Sequence, residues 1–102
     1  MTPDVKKIRR EDIRWQILLT LNNSRPVAAY ESVILTVIRA TYPDATQLEL
    51  RRELDYLDDR KLVAVEKRPD GRWLTDLTHY GVDVAEYTVD CLPGIARPEK
   101  YW

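Results

Sequence analysis

The stretch Thr46–Leu77, TQLELRRELDYLDDRKLVAVEKRPDGRWLTDL, decides how the chain folds. It opens with a helix start. Thr46 and Glu49 have capping-box spacing: the Thr46 hydroxyl can accept from the Glu49 amide, and the Glu49 carboxylate can reach back to the Thr46 amide. Leu50, Leu54 and Leu57 then recur at helical spacing and form a stripe for burial, with Arg51, Arg52, Asp55 and Asp59 off it. Arg60 and Lys61 suit a helix end, where cations offset the partial negative charge of unpaired carbonyls. Leu62–Val65 reads as a strand. Pro69-Asp70-Gly71 suits a type I turn closed by glycine, and Trp73–Leu77 is the return strand. A helix therefore runs directly into a β-hairpin.

Upstream, Glu11–Asn22 reads as helix. Ile13, Ile17 and Leu21 share one face, while Ile8, Trp15 and Leu19 fall on roughly the opposite one. A helix apolar on both sides is usually covered on both sides. Residues 1–10 carry Lys6, Lys7, Arg9 and Arg10 against Asp4 alone, and fit either an arm or the first turns of that helix. Asn22–Pro26 breaks it. The run Val33–Ile38 fits strand or helix by periodicity. Its β-branched content favours strand, but Glu31, Ser32, Arg39 and Ala40 lengthen it to helical size, and helix is the reading adopted. Tyr42 precedes Pro43 and is pushed out of the α region, which ends this element. Downstream, Thr78 can cap a last helix reaching about Tyr87, with Val82, Val84, Ala85 and Tyr87 as its apolar positions. The segment after it contains Pro93-Gly94 and Pro98 and is loop or extended. The expected organisation is one mainly α domain with a small β-hairpin over residues 1–90, then a tail over 91–102.

The whole-chain numbers set limits on function. With 102 residues, 44% of them hydrophobic, one domain with a real core is expected. Charged residues reach 32%, but 16 Lys+Arg face 17 Asp+Glu, so the net charge is −1. Attraction to nucleic acid must then come from local patches, not from the protein as a whole. Cys91 stands alone, so no disulfide forms within the chain, which fits a reducing compartment, and it reads as a small buried apolar residue. No apolar run approaches the roughly 20 residues of a membrane span, and the basic N-terminus lacks the apolar core of a signal peptide. A cytoplasmic protein is expected. Catalysis is not. A Ser–His or Cys–His pair needs a histidine, and His79, the sole one, has no triad or metal set near it in sequence. Asp55, Asp58 and Asp59 lack calcium-loop spacing. No phosphate-binding glycine motif is present. No cofactor or metal is implied.

The order helix, helix, helix, hairpin, helix is that of a winged helix-turn-helix. LELRRELDYLDDRKLV resembles the second, "recognition" helix of that fold running into the first wing strand. WLTDLTHYGVDVA resembles the second wing strand and the next helix, in an LT-x-x-G pattern found among winged-helix regulators. More narrowly, LDYLDDRKLVAV, DGRW, LTHYGVDVA and PGIARP resemble short winged-helix proteins encoded by Mu-like phages and prophages. The likeness runs from about Thr46 to the end of the chain. It implies the fold and a phage setting but no established reaction; a DNA-binding role in transcription regulation is the reading adopted on top of it. One departure stands out: a glycine often precedes the first wing strand, and here Lys61 occupies that place. The substitution suggests an exit from the helix without a left-handed residue.

The DNA case rests on three local features: the basic run Lys6 to Arg10, the third helix and the hairpin tip. If the fold is a winged helix, contacts fall on Gln47, Arg51 and Arg52 in the first half of the third helix, where such a reader meets base edges and phosphates. Arginine suits guanine and phosphate, and glutamine suits adenine. Lys67, Arg68 and Arg72 surround the hairpin tip and would meet the duplex backbone, with Trp73 anchoring the hairpin. The competing readings are plain: a solvated turn at the tip, and i, i+4 pairing of the helix arginines with Asp55 or neighbouring acids. Residues 44–62 also hold six acids, Asp44, Glu49, Glu53, Asp55, Asp58 and Asp59, against four bases. That balance keeps a second class of function open, a non-catalytic adaptor that binds another protein. The stripe Ile8, Trp15, Leu19 and the closing Tyr101 and Trp102 need cover. The last helix and tail could supply it. A second copy in a homodimer is the preferred source, since helix-turn-helix proteins commonly read paired half-sites.

Overall fold

The computed structural model describes residues 2–100. Its first helix, α1, spans Val5–Ser24 and so begins well before the expected Glu11. The cause is local. Asp4 is a good N-cap, and its carboxylate accepts from the Lys7 amide at 3.1 Å. The basic opening segment is thus helical, not a loose arm. Ile13, Ile17, Leu18 and Leu21 of α1 are essentially inaccessible and form the centre of the core.

A two-residue strand β1, Ala29–Tyr30, leads straight into α2, Glu31–Arg39. The apolar run is therefore helix, as its length argued, with Ile34 and Ile38 buried. Next come α3, Gln47–Asp59, the strands β2, Val63–Lys67, and β3, Trp73–Leu77, and finally α4, His79–Ala85. Among the described residues there are four helices and one three-stranded antiparallel sheet of order β1-β3-β2. The expected hairpin is present, with Val63 opposite Leu77 and Lys67 opposite Trp73. The third strand was not expected: Ala29 pairs with Thr75 and Tyr30 with Leu74. Two residues are too few to show a period, yet they tie the start of α2 to the hairpin.

Leu50, Leu54 and Leu57 of α3 are buried as predicted. The capping box is only half made. The Glu49 amide donates to the Thr46 hydroxyl at 3.2 Å, but the Glu49 carboxylate turns to Arg9 instead. At the other end Lys61 takes φ 65, so it is a left-handed residue after all, a correction to the sequence reading. The Lys61 amide donates to Asp58 O and the Leu62 amide to Leu57 O, each at 3.0 Å. That pair of bonds is a Schellman closure, which satisfies the last carbonyls of α3 even without glycine.

The Thr-x-x-Gly start of α4 has two physical causes. The Thr78 hydroxyl accepts from the Gly81 amide at 3.0 Å and donates to Lys61 O at 2.6 Å. Gly81 lies against Leu62 so closely that a Cβ there would collide with the Leu62 carbonyl oxygen. The glycine is needed for packing, not for its dihedral angles. Helix α4 stops at Ala85, two residues short of the expected Tyr87, which instead sits at φ 62.

The segment beyond α4 is laid over α1 and α4. The Ala96 amide donates to Glu11 O at 3.1 Å, and the Tyr87 hydroxyl to Pro98 O at 2.7 Å. Arg97 donates to Val84 O and Val89 O. Arg14 holds the segment from beneath, donating to Gly94 O at 2.9 Å and to the Glu53 carboxylate at 2.8 Å. Its guanidinium stacks 3.5 Å from the centre of the Tyr56 ring. Trp15 is buried, with the Tyr87 ring edge-on at 6.0 Å. Ile8 and Leu19 stay 55% and 37% exposed, so the second stripe of α1 is not buried as a unit. The expectation for Tyr101 and Trp102 lies outside the described residues. Among the described residues no helix is long and apolar enough to cross a membrane.

Candidate nucleic-acid interface

The first half of α3 and the hairpin tip are joined through one arginine. Glu31, in the first turn of α2, is buried. A buried carboxylate needs ionic and hydrogen-bonding partners. It gets three contacts: Arg51 Nε at 2.7 Å, Arg51 Nη2 at 2.5 Å and Gln47 Nε2 at 2.9 Å. The same Nη2 also donates to Gly71 O at the hairpin turn, at 2.7 Å. The Arg51 guanidinium lies 4.6 Å from the centre of the Trp73 ring. Arg51 therefore ties together α2, α3 and the hairpin, and the Glu31 bond holds its charge more firmly still, raising its pKa. Its partner is Glu31, not the Asp55 or neighbouring acids of the competing i, i+4 reading. Glu31 was overlooked because a glutamate opening a helix gives no sign of being buried.

The turn forms as its residues require. The Gly71 amide donates to Arg68 O, and the Arg68 amide to Arg72 O. Asp70 accepts from the Arg72 amide at 3.0 Å and from its Nε at 2.7 Å, and these bonds hold the Asp70 carboxyl below its usual range. The Arg72 guanidinium also lies over Tyr30 at 4.5 Å. Arg68 pairs with Glu66 at 3.0 Å. Lys67 reaches Asp55 at 3.6 Å and covers Trp73 at 4.5 Å. Trp73 is half-buried beneath these cations, the anchoring place foreseen for it. All three tip cations are exposed. Exposed ion pairs of this kind contribute little, so a phosphate can replace the carboxylate partner at small cost.

Arg52 belongs elsewhere. It is exposed and lines a groove between α1 and α3 with Lys6, Arg9, Arg10, Glu49 and Glu53. The structure thus brings Gln47, Arg51, Lys67, Arg68 and Arg72 together around α3 and the hairpin, and sets Arg52 on the solvent-facing side of α3, at the edge of the α1 groove. The solvent-facing stripe of α3 is Leu48, Arg52, Asp55 and Asp59. On α2 and α3, apolar side chains are also open to solvent: Val33 and Val37, 54% and 43% exposed, and Leu48, 59% exposed.

The remaining candidates are quiet. His79 is exposed in the first turn of α4. Cys91 is a half-buried free thiol whose pKa is raised by that burial. Among the described residues no group of His, Cys, Asp and Glu could hold a metal, Asp55, Asp58 and Asp59 included. No protein-family model, no curated protein and no solved structure matches the chain.

Proposed function

We propose that this chain is a small winged helix-turn-helix DNA-binding protein of the phage or prophage regulator type, cytoplasmic and without catalysis. One observation carries the reading: the Arg51–Gly71 bond sets the cationic hairpin tip beside the N-terminal half of α3. In this reading α3 enters the major groove and the hairpin is a wing. Lys67, Arg68 and Arg72 meet backbone phosphates, trading weak carboxylate partners for them. Arg51 acts mainly as the strut that positions the wing, since Glu31 and Gly71 O take its Nε and Nη2 donors and leave only Nη1 for DNA. Gln47 likewise gives one Nε2 hydrogen to Glu31 and keeps its carbonyl and the other hydrogen for a base edge, so sequence preference is modest. A homodimer through the exposed Ile8 and Leu19 side of α1 belongs to the same reading, with Trp15 contributing only from the core.

The test is anisotropy of a labelled mixed-sequence duplex titrated with the full chain at about 25 mM salt and upward. Binding that weakens steeply with salt supports DNA recognition. No binding at the lowest salt refutes it. A second reading, the adaptor that docks another protein, is favoured by exposed Val33, Val37 and Leu48, since a phosphate-facing surface has no use for apolar side chains.

A further inference from the structure

The groove between α1 and α3 has an unusual charge arrangement. Lys6 and Arg10 lie one helical turn apart on α1, and Arg52 faces them from α3. The two acids of the groove are already engaged. Glu49 takes Arg9 Nε and Nη2 at 2.8 Å each, and Glu53 takes Arg14 Nε at 2.8 Å. Arg9 is further occupied by Asp44 at 3.0 Å. Lys6, Arg10 and Arg52 are exposed, and among the described residues none of the three side chains makes a hydrogen bond or an ion pair. Every tip cation of the hairpin has a carboxylate partner, whereas these three have none.

Like charges one turn apart disfavour the helix, and a third cation across the groove adds to the repulsion. Among the described residues no carboxylate pairs with these three cations, the groove's own Glu49 and Glu53 being held by Arg9 and Arg14. An anion would relieve the repulsion, and the three cations line the same groove. We infer that Lys6, Arg10 and Arg52 form a second backbone clamp that takes phosphodiester groups of duplex DNA on the flank of α3 opposite the hairpin. This rests on the DNA-binding reading and adds to it. The N-terminal half of α3 then lies between two phosphate contacts, one from α1 and one from the hairpin. Arg52 is in that case a backbone residue, not a base reader.

The experiment compares the parent with Lys6→Ala/Arg10→Ala/Arg52→Ala in the salt titration described above, with circular dichroism as the folding check. Each lost phosphate contact lowers the salt slope by about 0.9. The triple variant should therefore lose about two to three units of slope and bind more than tenfold more weakly at about 50 mM salt, to all duplex sequences alike. The charge-keeping set Lys6→Arg/Arg10→Lys/Arg52→Lys should retain the parent slope. Should the triple variant fail to fold, Arg52→Glu alone reads the same groove and should weaken binding in the same way. Parent-like slope and affinity in the folded groove variants would overturn the clamp and leave the DNA reading standing. No duplex binding by the parent would overturn both. A poly-glutamate peptide of matched charge that competes as well as duplex would also overturn the clamp and point to an acidic protein segment.

Discussion

Glu53→Ala is expected to be the most damaging single change of a charged residue in this chain. Glu53 and Arg14 are 6% and 11% exposed at the side chain, and they meet at 2.8 Å. Removing the carboxylate leaves the Arg14 guanidinium buried between α1, α3 and the Cys91–Ile95 segment, with Gly94 O as its one remaining acceptor and Tyr56 as its stacking partner. Breaking a buried pair from one side typically costs about 3–5 kcal/mol, because the desolvated charge that remains is uncompensated. Domains of this size have only about 5–15 kcal/mol in all. A loss near 3 kcal/mol lowers Tm by roughly 12 °C or more. The double change Arg14→Met/Glu53→Leu removes both charges and refills the space, and should return to within about 1.5 kcal/mol of the parent. The residual reflects the lost hydrogen bond to Gly94 O. Urea unfolding followed by tryptophan fluorescence measures all three proteins. A Glu53→Ala protein within about 0.5 kcal/mol of the parent would mean that the Arg14–Glu53 pair is not buried in solution. A double variant as unstable as the single one would refute the reasoning.

Other substitutions probe the remaining joints. Gly81→Ala drives a methyl into the Leu62 carbonyl and should cost about 1–3 kcal/mol in the same urea assay, against about 1 kcal/mol of gain expected if Gly81 were an ordinary helix position. Lys61→Gly relieves a left-handed lysine and should raise stability by about 0.5–1 kcal/mol; a loss would mean the Schellman closure does not form in solution. The Tyr42 hydroxyl donates to the Asp12 carboxylate at 2.6 Å, and this bond with burial pushes its pKa from 10.0 to about 12. A raised folded-state pKa means stability present below pH 10 and lost as pH rises toward 12. The stability advantage of the parent over Tyr42→Phe should therefore shrink across that window, and a constant difference from pH 9 to pH 12 would disprove the bond.

Much of the fold could be read because its signals are local. The leucine stripe of α3, the Thr46 and Thr78 caps and the Pro69–Gly71 turn each occupy a few neighbouring residues, and each formed. What escaped was set by distant partners. Glu49 looked like half of a capping box, but Arg9, forty residues away, offered it two charged hydrogen bonds. Arg51 looked like an i, i+4 partner of Asp55, but the buried Glu31 needed it more. Strand β1 had too little length to show a period, and it exists because β3 offers an open edge. Lys61 was misread because backbone hydrogen bonds, not residue type, fix that turn. The candidate site was legible as a set of cations. Its division into a hairpin group with carboxylate partners and a groove group without them required the three-dimensional arrangement.

The most direct test of the account is an amide chemical-shift map of the 15N-labelled chain with a short mixed-sequence duplex at low salt. The proposed orientation predicts shifts along residues 6–10, 47–52 and 67–72, with α4 and the segment beyond it unchanged. Shifts confined to α4 and residues 88–100, or none at all, would contradict it.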